Sequence, residues 1–226
     1  MYHLFSLLLF ITTTILTAQN PWALEASVGG QLGIFPRDLV RETHIGTLDP
    51  RTRQVGLAAR LPLDDYWALR VGVAGQSGNI YLSSWENQFQ RDERSWDYTV
   101  RSQYVRVAVA ILKGKRFAPR WRYYSGSGLA LHREVRRRGF VFASNAVGNS
   151  IFDRLSNPAD DRLYPGAFAF LGLTRYLTPR LGLTLEPVIR FERHGLRDFY
   201  PFERGAWQTL AGVSLRVEFL GKSLPF

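Results

Sequence analysis

Ala206 to Phe219 reads AWQTLAGVSLRVEF. Side chains of a strand alternate between its two faces. One set here is Trp207, Thr209, Ala211, Val213, Leu215, Val217 and Phe219, apolar but for one threonine and with an aromatic ring at each end. The other set is Gln208, Leu210, Gly212, Ser214, Arg216 and Glu218. A strand that crosses a bilayer needs about 9–11 residues, an apolar outward face and aromatic rings at both interfaces. The stretch meets each condition, so it predicts one stave of a transmembrane barrel.

Working outward, seven more segments carry the same alternation. Ala23–Phe35 sets Leu24, Ala26, Val28, Leu32 and Ile34 against Glu25, Ser27 and Gln31, and Pro36 ends it because proline cannot donate to a ladder. Arg53–Leu61, Trp67–Ser83, Trp96–Leu112, Trp121–Val135, Leu163–Leu177 and Leu181–Arg193 follow. Trp121–Val135 carries Ser125 and Ser127 on its better apolar face, and Leu163–Leu177 is apolar on both faces, which leaves its register open. Tight connections at Pro62–Asp65, Lys113–Arg120 and Leu177–Arg180 alternate with long ones at Arg37–Thr52, Ser84–Ser95, Arg136–Arg162 and His194–Gly205. With a periplasmic mature N-terminus, all tight turns fall inside and all long loops outside, the asymmetry of outer-membrane barrels. The aromatics follow suit. Trp22, Trp67, Trp121, Tyr176 and Phe219 are expected at the periplasmic rim, and Phe35, Trp85, Trp96, Tyr164, Phe191 and Trp207 at the outer one. The expected fold is therefore all-β: a closed eight-stranded antiparallel up-and-down transmembrane barrel.

Composition narrows the choice. The chain has 226 residues, no cysteine and a net charge of +10. No segment after residue 20 offers the run of about 20 apolar residues that a transmembrane helix requires. Only helices and closed barrels satisfy the backbone inside lipid. The lack of cysteine excludes a disulfide framework and thiolate metal sites. Met1–Ala18, MYHLFSLLLFITTTILTA, has the length and order of a cleaved secretory signal peptide, with residues 19–226 forming the barrel. Export separates the basic chain from cytoplasmic nucleic acid, so the arginines are expected either to serve solvation and pairing inside the barrel or to meet phosphates of outer-membrane lipid. The competing fold is a soluble lipocalin-like barrel, which would reverse every face and put the apolar sets inside.

The hairpin FLGLTRYLTPRLGLTLEPVIRF (Phe170–Phe191) and the closing strand VSLRVEF (Val213–Phe219) resemble the eight-stranded outer-membrane β-barrel family of the OmpA/OmpX type. The resemblance spans the mature chain. It implies residence in the bacterial outer membrane and insertion by the barrel-assembly machinery, which reads a closing aromatic. Phe219 is expected to be that assembly signal, although LGKSLPF follows it and Phe226 is also aromatic.

The inward sets collect Glu25, Arg60, Arg70, Arg106, Glu186, Arg190, Glu192, Arg216 and Glu218. An eight-stranded barrel is just wide enough for side chains to fill. Buried charges must be paired. These nine are expected to form a salt-bridged interior, with Glu186, Arg190 and Arg216 the natural gate if the lumen is instead a narrow pore. A lipid-modifying enzyme is a further alternative. A lipid deacylase would need a histidine within reach of a serine, yet His132 has Ala130 and Glu134 as same-face neighbours and the sequence contains no His-x-Ser. No catalytic residues, metal site or cofactor are expected. The loops 84–95 and 136–162, with Trp85, Phe89, Phe140, Phe142 and Phe152, offer a surface for a ligand. The overall expectation is a non-enzymatic, monomeric outer-membrane protein with a structural or surface-interaction role.

Overall fold

The computed structural model describes residues 22–34, 45–48, 51–86, 94–145, 150–155, 162–194 and 206–221, with side chains placed at 22–33, 51–78, 101–138, 162–193 and 207–221. The strands are β1 (Ala23–Ile34), β2 (Ile45–Leu48), β3 (Arg51–Pro62), β4 (Trp67–Glu86), β5 (Arg94–Ala118), β6 (Trp121–Asn145), β7 (Ser150–Leu155), β8 (Leu163–Thr178), β9 (Leu181–His194) and β10 (Ala206–Leu220). Eight of them close a ring in the order β1-β3-β4-β5-β6-β8-β9-β10, every pairing antiparallel. Closure comes from β1 against β10, where Ala26 faces Val217 and Val28 faces Leu215. No sheet edge is left within the ring, which is what lipid demands of a spanning sheet.

The faces decide between the two barrel types. Val213 is 47% exposed, Leu215 44%, Leu129 72% and Ile189 60%, whereas Arg70 is 5% exposed. Apolar side chains clothe the outside and charged ones fill the inside, the reverse of a water-soluble barrel. The belt continues around the ring through Leu24, Val55, Val73, Val107, Leu173 and Leu185. Trp22, Trp67 and Phe219 at one rim and Phe191 stacked on Trp207 at the other, ring centroids 4.7 Å apart, point outward as expected. Tyr176 and Tyr164 do not: both are buried inside. In β8 the even-numbered residues face the lumen, which settles the register that its two apolar faces left open. Phe117, Tyr123 and Tyr66 are outward instead.

The tight turns are compact. Asp64 Oδ1 accepts from the backbone N–H of Tyr66 and of Trp67, both at 2.7 Å, which fixes the β3–β4 reversal. Lys113–Arg120 is not a turn of its full length, because β5 runs on to Ala118 and only Pro119–Arg120 reverse the chain.

At the opposite end the strands outrun their expected limits. Ser84–Glu86 belong to β4 and Arg94–Ser95 to β5, with Trp85 opposite Ser95. Arg136–Asn145 belong to β6, and Ser150–Leu155 form β7 against them. The connection 37–52 contains β2 and the start of β3, and His194 ends β9. Above the bilayer a strand needs no apolar face, so polar residues continue the ladder. β2, β4, β5, β6 and β7 thus form a raised wall on one side of the ring. The signal segment 1–18, His44, Phe35, Phe89 and Phe226 lie outside the described residues. Trp85, Trp96, Phe140, Phe142 and Phe152 lie in strands, outside the described side chains.

Candidate functional site in the barrel lumen

The lumen is built from the inward residue of each strand at each level. Register places like charges directly opposite each other at the lower level: Arg60 beside Arg70, and Glu25 beside Glu218. Such pairs repel. The diagonals resolve them. Arg60 Nη1 reaches Glu218 Oε2 at 2.8 Å and Glu25 Oε1 at 3.6 Å. Arg70 Nε lies 2.8 Å from Glu25 Oε2, and its Nη1 donates to Glu186 Oε2 at 2.7 Å. Arg216 donates to Glu186 Oε1 through Nε at 2.9 Å and Nη2 at 2.6 Å, and its Nη1 stands 3.6 Å from Glu25 Oε2. Six charges on five strands therefore form one connected cluster across the ring.

Neutral groups and one further cation complete it. The Tyr124 hydroxyl donates to Glu186 Oε2 at 2.8 Å and accepts from Arg70 Nη2 at 3.0 Å. Thr174 and Thr184 hydroxyls both lie on Glu218 Oε1, at 3.0 and 2.6 Å. The guanidinium of Arg122 sits over the Tyr124 ring.

A second level lies toward the long-loop end. Arg106 Nε approaches Glu192 Oε1 at 3.3 Å, and Arg190 Nη1 approaches the same oxygen at 3.9 Å. Arg190 also donates to Gln76 Oε1 at 3.3 Å and to Gln54 Oε1. Aromatic rings of β8 pack beneath the cations, Phe170 under Arg70 at 4.8 Å and Phe168 under Arg106 at 4.6 Å. All nine residues singled out from the sequence face the lumen, in two connected levels. Tyr124, Arg122, Gln54, Gln76, Thr174 and Thr184 join them. Alternation alone places Gln54, Gln76 and Thr184 on the inward faces, but neutral side chains carry no signal of pairing; Thr174 lies in β8, whose register was open, and Arg122 and Tyr124 in β6, whose apolar face is broken by Ser125 and Ser127.

A third group caps the lumen and was not foreseen. His132 Nε2 hydrogen-bonds the Arg193 carbonyl at 2.8 Å, and its ring stacks on Tyr164 and meets Tyr104 edge-on. Just above, Arg137 donates to Glu134 at 3.0 Å through Nε and stands 2.6 Å from it through Nη2. This pair exists because of a bulge. Gln103 faces Arg136 while Tyr104 faces Glu134, so Val135 and Arg136 both point outward and Arg137 turns in.

The same bulge leaves an arginine-rich shoulder outside. Arg101, Arg133, Arg136, Arg138 and Arg162 are all exposed just beyond the apolar belt, with Arg101 directly opposite Arg138.

No protein-family model and no curated protein matches the chain. Among solved structures it is similar to Ail, the attachment invasion locus protein of Yersinia pestis, solved with the heparin analogue sucrose octasulfate, at 13% identity over 89% of this chain and 98% of that one, TM-score 0.36. It is similar to Neisserial surface protein A at 12% identity over 88% and 96%, TM-score 0.44. It is also similar to the N-terminal barrel domain of Pseudomonas aeruginosa OprF at 14% identity over 88% and 99%, TM-score 0.33. The assignment itself rests on the chain's own closed register, outward apolar belt and inward charge. They make it an integral eight-stranded β-barrel of the bacterial outer membrane, with the architecture of the OmpA/OmpX type.

Proposed function

We propose that the protein is a plugged, non-enzymatic barrel whose work is surface interaction, and that its outer shoulder grips phosphate groups of the surrounding surface lipid. The observation that carries this is the shoulder itself. Five exposed arginines sit just past the last belt residues of β5, β6 and β8, where lipid headgroups lie. Guanidinium groups pair with phosphate in a bidentate fashion, and a cluster does so with several oxygens at once. The raised wall of β2, β4, β5, β6 and β7 stands above this shoulder and offers a surface of paired strands for a further partner.

Native mass spectrometry of the detergent-purified protein tests the proposal. Phosphorylated lipid A is expected to remain bound, and a variant with Arg101, Arg133, Arg136 and Arg138 all changed to Gln is expected to lose it. Equal retention on both proteins, or equal retention of the dephosphorylated lipid, would refute the proposal. The non-enzymatic reading is supported by His132, whose Nε2 is taken by a backbone carbonyl and whose ring is held between two tyrosines. An unchanged lipid A mass profile in cells with and without the protein is the expected result.

A further inference from the structure

The lumen's charges do not balance. Between the two connected levels, Arg60, Arg70, Arg106, Arg122, Arg190 and Arg216 meet only Glu25, Glu186, Glu192 and Glu218 among the described residues. Arginine does not shed its proton in a protein. The interior therefore holds two more cations than anions, in surroundings where an uncompensated charge is costly.

We infer that the lumen binds a small monovalent anion of chloride's size beside Arg106. A cavity of about 40 Å³ lies at that level, between the two charged clusters. A single water needs about 10–15 Å³ on this scale, so the space holds about three waters, or one halide with water beside it. Arg70, Arg106 and Arg216 line it, with Ser27, Gln54 and Phe168, and no carboxylate does. The room exists because β3, β4 and β5 present glycine and alanine there, as at Gly56, Gly72, Ala74 and Ala108. Arg70 and Arg216 spend most of their donors on Glu25 and Glu186. Arg106 is only 4% exposed, and its Nη2 has no hydrogen-bond acceptor among the described residues. A halide there accepts from that nitrogen and brings the charge of the lumen closer to balance. Water would satisfy the donor but leave the charge.

The test uses the full-length protein. Crystals soaked in bromide should show an anomalous peak between Arg70, Arg106 and Arg216. In detergent at constant ionic strength, the unfolding midpoint should rise by a few degrees with chloride and saturate, and should not rise with gluconate, which is too large to enter. Arg106→Met should abolish the chloride dependence. In gluconate its midpoint gives the cost of losing the Arg106–Glu192 contact, and chloride should leave that midpoint where it is. Equal midpoints of the parent in the two salts, or bromide found only on the outer surface as an adventitious ion, would overturn the inference. If Arg106→Met does not insert, the bromide map of the parent decides alone. Neither readout depends on shoulder lipids or on conductance, so the site stands or falls separately from the surface-interaction reading.

Discussion

Glu186 takes hydrogen bonds from three side chains on three strands: Arg70 of β4, Tyr124 of β6 and Arg216 of β10. Removing one partner of a buried ion cluster costs more than the cluster contributes, because the survivors stay buried and charged. Glu186→Gln is therefore expected to lower stability by about 3–5 kcal/mol, read as the shift in urea unfolding followed by tryptophan fluorescence in liposomes. A change of under about 1 kcal/mol would mean that water reaches these arginines. Backbone approach matters as much as charge. A Cβ on Gly172 would stand 2.1 Å from Cζ of Tyr124, so the glycine of β8 is what lets that ring lie flat against the wall and present its hydroxyl to Glu186. Gly172→Ala is expected to cost about 1–3 kcal/mol through overpacking. Gly75 makes the opposite case. It faces outward, and a methyl group added there would meet nothing within 4 Å. Gly75→Ala in the same assay should be neutral or gain up to about 1 kcal/mol, the usual difference between glycine and alanine in a strand.

At the scale of the strand, the belt itself makes a prediction. Val107 lies midway along the outward row Val105, Val107, Val109 and Ile111 of β5. Arginine on the lipid face near the midplane costs about 2–4 kcal/mol. Val107→Arg should reach that range when unfolding is measured in liposomes. An effect no larger than that of Arg53→Ala, at the rim, would deny lipid contact there. The strands also show what the residues alone could convey. Where one face was apolar and the other charged, as in β1, β3, β9 and β10, parity was legible, and nine of the inward charges with it; Arg122 was missed because the faces of β6 are mixed. β8 was not, because its lumen face is aromatic: Phe168 and Phe170 sit under arginines, and Tyr164 and Tyr176 are buried. A tyrosine packed inside the barrel and one at the membrane interface look alike in sequence. Strand ends were illegible for another reason. Beyond the bilayer both faces meet water, so nothing in ENQFQRDER or its neighbours marks where pairing stops. The Glu134–Arg137 pair was hidden by its bulge, since strict alternation from His132 would have turned Arg136 inward and Arg137 out.

For the whole molecule, the question is whether two charged levels and a histidine–tyrosine cap close the lumen. The lower level spans the ring without interruption: β4 joins β9 through Arg70–Glu186, β9 joins β10 through Glu186–Arg216, and β1, β3 and β10 meet through Glu25, Arg60 and Glu218. An ion entering there must displace contacts of 2.6–2.8 Å between full charges. The parent protein in a planar bilayer should therefore give no steady single-channel current, and sustained steps would favour the narrow pore instead. The combined variant Arg70→Ala, Glu186→Ala, Arg216→Ala removes the centre of that level. It leaves Arg60, Arg106, Arg122 and Arg190 against Glu25, Glu192 and Glu218, still one cation in excess. If this level is the restriction, the variant should conduct, and its reversal potential in a potassium chloride gradient should show preference for the anion. A silent variant would move the barrier to the second level or the cap. A cation-selective one would contradict the excess positive charge of the lumen, because a fixed field of that sign inside low-dielectric walls repels potassium and concentrates chloride.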